Sequence, residues 1–141
     1  MADGKKTLIF DLDGTLLDSI EDIAVSMNKV LESLNLPIHK IEDYKYFVGS
    51  GVDVLVENAL GNHSQEIKDE VIKRFKVEYD GKLHLKTLPY DGIYDLLNEL
   101  KKLNCNLAVL SNKPHEFTVS YVHHFFKDYD FKEIHGQQVD I

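Results

Sequence analysis

Thr7-Leu8-Ile9-Phe10-Asp11-Leu12-Asp13-Gly14-Thr15 decides how the rest of the chain is read. Leu8 to Phe10 is apolar and β-prone, which predicts a strand in the centre of a parallel sheet. Two carboxylates follow, two residues apart, at the mouth of that strand and ahead of a glycine. This is a ready acid/base and nucleophile pair. Paired acids at a strand end also serve in metal binding and in plain turns, so the pair gains meaning from its context.

Outward from this stretch the period changes. From Ser19, the residues Ile20, Ile23, Ala24, Met27, Val30, Leu31 and Leu34 fall on one helical stripe. Asp18 or Ser19 is placed to cap that helix, with Glu21 and Asp22 in its first turn. Asn35-Leu36-Pro37 ends it. Further helices are predicted over Ile41–Phe47 and Val52–Leu60, with Gly61-Asn62 as a stop. Ser64 is placed to cap another, whose face carries Ile67, Val71, Phe75 and Tyr79.

The pattern then returns to α/β. Pro89-Tyr90-Asp91-Gly92 reads as a turn, with Asp91 capping a helix that bears Ile93, Leu96, Leu97, Leu100 and Leu103. Leu107–Leu110 predicts a second buried parallel strand. Pro114 suits the first turn of a helix carrying Phe117, Tyr121, Val122 and Phe125, and Phe131–His135 predicts a third strand. The fold class is therefore α/β: a Rossmann-like parallel sheet with an inserted α-helical cap. Residues 1–15 and 86–141 form the core, and residues 16–85 form the cap. Asp11, Asp13, Ser111 and Asn112 all fall at carboxyl ends of strands, where such sheets place their chemistry.

Composition narrows the partners. The 141 residues carry 24 acids against 16 bases, a formal charge of −8. No excess positive field attracts nucleic acid or an anionic membrane. No apolar run approaches the roughly 20 residues that span a bilayer. The polar start MADGKK, and the short apolar run after it, do not make a signal peptide. One cysteine, Cys105, excludes an internal disulfide and suits a reducing cytoplasm. The seven histidines show no metal-ligand spacing.

The segment Leu8 to Ser19, LIFDLDGTLLDS, resembles the first signature motif of the haloacid dehalogenase-like phosphatases. Ser111-Asn112-Lys113-Pro114 resembles the second, in the form typical of the phosphoglycolate phosphatase-like branch. Tyr46-Phe47-Val48-Gly49-Ser50-Gly51-Val52 is similar to the cap loop of that branch, and Leu88-Pro89-Tyr90-Asp91-Gly92 to its re-entry into the core. The resemblance implies a phosphomonoester hydrolase that works through an aspartyl-phosphate on a small phosphorylated substrate such as phosphoglycolate. It implies Asp11 as nucleophile and Asp13 as the acid and base. Mg²⁺ would be held by Asp11 and by the Asp13 backbone carbonyl. Phosphoryl oxygens would be held by the Ser111 hydroxyl and by backbone N–H groups near Leu12 and Asn112, with Thr15 and Gly14 shaping the turn. Gly51 either brings its N–H to the substrate or only permits a turn. Lys113 either contacts substrate or is an exposed lysine near a helix start.

The family continues to a lysine, often in Lys-Pro-x-Pro, and then to an acidic Gly-Asp-x-x-x-Asp strand end. Here the residues after the third strand are Gly136 to Ile141, and Asp140 has no preceding strand that would let it serve as such an acid. The expectation is a C-terminally shortened member, inactive or weak alone, with Thr7 to Asp11 at a sheet edge open to self-association. The alternatives are a relative acting on pyrophosphate, nucleotides or sugar phosphates, and a non-catalytic interaction module.

Overall fold

The computed structural model describes residues 5–80 and 85–138. The readings of the MADG start, of His84 and of Asp140 lie outside the described residues. The chain divides into two compact units, Met1–Asp18 with Leu88–Ile141, and Ser19–Thr87.

The first unit is α/β. Strands β1 (Thr7–Phe10), β4 (Asn106–Pro114) and β5 (Phe131–Gln137) form one parallel sheet in the order β1-β4-β5. Among the described residues β1 therefore lies at the edge of the sheet rather than at its centre. Strands β2 (Leu17–Asp18) and β3 (Leu88–Pro89) pair antiparallel where the chain leaves this unit and returns to it. This short pairing assigns residues 17–18 and 88–89 to the α/β unit. Helix α5 (Ile93–Lys102) precedes β4, and α6 (His115–Phe125) follows it.

The two helices meet through an aromatic cluster. The Tyr94 hydroxyl donates to the Phe125 carbonyl at 2.9 Å, and the Tyr94 and Phe126 rings stand edge-to-face at 5.9 Å. Leu107 and Val109 on β4, Leu97 and Leu100 on α5, and Tyr121 and Val122 on α6 are buried. Strand alternation turns Ile9 and Leu110 to the opposite face, where they are 67% and 60% exposed. Gly92, not Asp91, precedes α5, because the turn there needs a left-handed residue and Gly92 has φ 86°.

The second unit is helical: α1 (Ile20–Ser33), a 3₁₀ turn (Ile41–Asp43), α2 (Tyr44–Phe47), α3 (Val52–Leu60) and α4 (Gln65–Asp80). The apolar stripe of α1 is buried at Ile23, Ala24, Met27, Val30 and Leu31. Helix α4 buries Val71, Phe75 and Tyr79, and the last two rings stack at 5.3 Å. Ser64 caps α4 by accepting the Ile67 N–H at 3.3 Å. Asn28 organises the middle of the unit. Its amide donates to the His39 carbonyl at 2.7 Å, and its oxygen accepts from the His39 N–H and the buried Tyr44 hydroxyl. Burial, with a smaller push from Asp43, raises the Tyr44 phenol well above its ordinary pKa.

Asp22 lies in the first turn of α1, as expected, and does more than complement the helix dipole. It is buried, and its Oδ2 accepts from the Lys86 N–H at 2.9 Å, the Thr87 N–H at 2.8 Å and the Thr87 hydroxyl at 2.6 Å. One carboxylate thus joins the first turn of this unit to its last residues, 65 positions away. Asp22→Ala would leave those donors without their acceptor. Each buried donor left so costs about 1–3 kcal/mol, so a urea midpoint well below wild type is expected. An unchanged midpoint would show that the clamp is dispensable.

Candidate active site in the α/β unit

The site is built where β1 and β4 end side by side. Their register pairs Phe10 with Val109, so Asp11 and Ser111 follow within two residues of a matched pair. Beyond Phe10 the chain folds into a tight turn around the carbonyl of Leu12. That oxygen accepts the N–H groups of Thr15 at 3.3 Å, Leu16 at 2.9 Å and Leu17 at 3.0 Å. Gly14 sits in the turn at φ 81°, a conformation that a side chain would strain, and donates to the Leu17 carbonyl at 2.9 Å. Leu12, Leu16 and Leu17 are fully buried, which anchors the turn, while Asp11 and Thr15 stay exposed.

Asp11 is held from its own backbone side: the Leu12 N–H donates to its Oδ1 at 2.8 Å. Asp13 is held from across the sheet. The Lys113 Nζ lies 3.2 Å from Asp13 Oδ1 and 2.9 Å from Oδ2, and the two side chains are only 4% and 18% exposed. Removing one member of a buried ion pair typically costs about 3–5 kcal/mol, because the other charge is stranded. The Lys113 ammonium also stands 4.9 Å from the centre of the buried Tyr121 ring, within cation–π range. Nearby, burial, and then the carboxylates of Asp18 and Asp13, push the Tyr90 phenol up from its ordinary pKa.

Two readings of β4 need correction. The strand does not stop at Leu110 but runs through Ser111, Asn112 and Lys113 to Pro114. Pro114, at φ −50° and ψ 140°, lies just before α6 instead of in its first turn. The cause is β5, which stays paired with β4 as far as Pro114 opposite Gln137, across a shift in register. The extension puts Ser111 and Lys113 on one buried side and leaves Asn112 exposed. Lys113 is therefore not an exposed lysine at a helix start. No sequence signal announced its partner, because Asp13 lies 100 positions away.

Ser111 is mostly buried, and its Oγ accepts the Lys113 N–H at 3.0 Å. Its O–H remains a donor for another acceptor. The Lys113 carbonyl accepts from the buried Thr118 hydroxyl at 3.3 Å. Asp11, Leu12, Asp13, Thr15, Ser111 and Asn112 all belong to the α/β unit, whereas Gly51 belongs to the helical unit, immediately before α3.

Among the described residues no three His, Cys, Asp or Glu side chains gather closely enough to hold a metal ion. The expected donors, the Asp11 carboxylate and the backbone carbonyl of Asp13, are hard oxygens. Such a partial set suits a cation that binds through one or two carboxylates and retains water or phosphate oxygens.

Comparison with known proteins follows the same lines. The haloacid dehalogenase-like hydrolase family profile matches residues 8–139. A phosphoglycolate phosphatase from Pseudomonas savastanoi pv. phaseolicola is 37% identical over 118 residues, covering 79% of this chain and 43% of that protein. One from Aliivibrio fischeri is 31% identical over 139 residues, covering 93% of this chain and 61% of that protein. The chain thus spans roughly half the length of these curated relatives. The crystal structure of a candidate phosphoglycolate phosphatase from Lactobacillus delbrueckii subsp. bulgaricus superposes with a TM-score of 0.87 at 32% identity, over 95% of this chain and 65% of that one. No helix among the described residues is long and apolar enough to cross a membrane.

Gly136 on β5 buttresses the Lys113 end of β4. A Cβ there would lie 2.5 Å from the His115 Cα, 2.5 Å from the Thr118 Oγ1 and 2.7 Å from the Lys113 carbonyl oxygen. Gly136→Ala must move backbone as well as side chain, and overpacking of this kind costs about 1–3 kcal/mol. Thermal unfolding should show a clear loss of stability; wild-type stability would mean that the close approach is not maintained in solution.

Proposed function

From the premise that the chain belongs to the haloacid dehalogenase-like hydrolase family, we propose that its α/β unit carries phosphoryl-transfer machinery for a Mg²⁺-dependent phosphomonoesterase. The observation that carries the reading is the joint placement of Asp11, the Asp13–Lys113 pair and Ser111 at the ends of two paired strands. The names of the relatives favour phosphoglycolate, or a similarly small phosphate monoester, as substrate.

In this reading one oxygen of Asp11 attacks phosphorus while the bond from phosphorus to the ester oxygen breaks. The products of that step are an aspartyl-phosphate and an alcohol. A carboxylate is a weak nucleophile, so the step depends on positioning and charge neutralisation. The Leu12 N–H on Asp11 Oδ1 fixes one carboxylate oxygen. Asp13 gives its proton to the departing ester oxygen. It then takes a proton from the water that attacks phosphorus, which releases phosphate and restores Asp11. The Ser111 hydroxyl, with backbone N–H groups at Leu12 and Asn112, holds phosphoryl oxygens, and the N-terminus of α6 adds a favourable dipole. Thr15 belongs to this phosphate-binding turn. Asp11 and the Asp13 carbonyl would hold Mg²⁺, which would neutralise phosphate charge.

The helical unit, residues 19–87, is the cap in this reading. The family's later lysine and acids are not among residues 1–141, so these residues taken alone are expected to turn over weakly or not at all. The reducing cytoplasm is the compartment that suits a single cysteine.

The edge strand adds a partner. Strand β1 ends the sheet among the described residues, and the apolar Ile9 and Leu110 beside it are exposed. A second copy pairing along β1 would close this edge, and association through the same face would cover Ile9 and Leu110.

Asp11→Asn in the intact protein is expected to abolish Mg²⁺-dependent hydrolysis of phosphoglycolate, because an amide forms no acyl-phosphate. Asp13→Asn should lower kcat by about 10²–10⁴ with a smaller change in KM, the range of a lost general acid and base. Near wild-type turnover by the Asp11 variant would reject the mechanism. For residues 1–141, light scattering should show a concentration-dependent dimer that Ile9→Lys weakens. A monomer at every concentration would reject pairing through β1.

A further inference from the structure

Lys113 is more firmly built into the site than a lysine that only carries charge. Its N–H donates to the Ser111 Oγ, its carbonyl accepts from the Thr118 hydroxyl, and its ammonium stands over Tyr121. Gly136 closes against its carbonyl with no room for a side chain. A lysine stem loses much rotamer freedom when ordered. Ordering it at both ends is a cost without benefit unless the position of its ammonium matters.

That ammonium reaches both oxygens of the Asp13 carboxylate, at 3.2 and 2.9 Å. Asp13 follows the buried Leu12 in a tight turn, and its side chain is only 18% exposed. An aspartate carboxyl has several rotamers open to it, and a two-point contact with a fixed ammonium selects one of them. A general acid must stand within hydrogen-bond reach of the oxygen it protonates, so rotamer freedom translates into lost rate.

We propose that Lys113 is a positioning residue: its ammonium, fixed by β4 and α6, holds the Asp13 carboxyl in one orientation for proton transfer to the leaving group. The proposal rests on the phosphomonoesterase reading above. One Asp13 oxygen carries the proton that goes to the ester oxygen, while the other accepts from Lys113. After transfer the carboxylate remains bound to the ammonium until the hydrolytic water returns a proton. Lys113 itself neither gains nor loses one.

The test compares two esters in the intact protein with Mg²⁺. Phosphoglycolate leaves as an alkoxide that needs protonation, whereas p-nitrophenyl phosphate leaves as a stable phenolate that does not. Lys113→Met should lower kcat on phosphoglycolate about tenfold or more beyond its effect on p-nitrophenyl phosphate, since only the former draws on general acid catalysis. Lys113→Arg, which retains a bidentate cation, should restore part of that difference. In an Asp13→Asn background, Lys113→Met should cause no further selective loss. Circular dichroism confirms folding, and Lys113→Gln replaces the Met variant if the latter does not fold. Equal losses on both esters, or a selective loss that persists in the Asp13→Asn background, overturn the proposal and leave the phosphomonoesterase reading standing. A folded wild-type protein that hydrolyses neither ester overturns both.

Discussion

Four residue pairs, from Thr7 with Asn106 to Phe10 with Val109, are the constraint on which the rest of the site depends. Parallel pairing without slippage delivers the two strand ends to the same level. A slip of one residue would reverse the faces of β1 and remove Asp11 from its neighbours. The Asp13–Lys113 contact is made across that pairing, and so is the approach of Ser111. The geometry of the candidate site is thus a consequence of register before it is a consequence of residue type.

The strand ends stay aligned because each is anchored in a different way. On the β1 side, three buried leucines and one carbonyl that receives three N–H groups make a turn with little freedom. On the β4 side, the anchor is tertiary: β5 stays paired up to Pro114, the Thr118 hydroxyl donates to the Pro114 carbonyl at 3.1 Å, and Gly136 permits a backbone approach that any other residue would block. Preorganisation of this kind lets weak groups, a carboxylate and a hydroxyl, do difficult chemistry. The helical unit shows the same economy. The buried Asp22 joins its first turn to its last residues, and Asn28 joins α1 to the loop and helix that follow.

Local patterns were legible in the sequence. The apolar stripe of α1, the Ser64 cap and the strand before Asp11 all follow from periodicity and short-range chemistry, and the structure contains them. The unread features share a cause: they depend on partners far along the chain. Lys113 stood open between a substrate contact and an exposed lysine, because its partner Asp13 lies 100 positions away. Asp22 looked like an ordinary first-turn acid because Thr87 lies 65 positions away. The extension of β4 to Pro114 depends on β5, and the pairing of Leu17 and Asp18 with Leu88 and Pro89 joins segments too short to show a strand period. The exposed edge at β1 followed from the order of strands expected of the family, not from its composition, which is that of a strand covered on both faces.

The central claim is that Asp11 becomes covalently phosphorylated. The direct measurement is to incubate the intact protein with Mg²⁺ and a phosphoryl donor, quench with acid, reduce with borohydride and map the peptides by mass spectrometry. Reduction converts an aspartyl-phosphate to homoserine, so the account predicts homoserine at position 11 and none in the Asp11→Asn variant. Continued turnover with no homoserine at position 11, or with the modification at another residue, would contradict it.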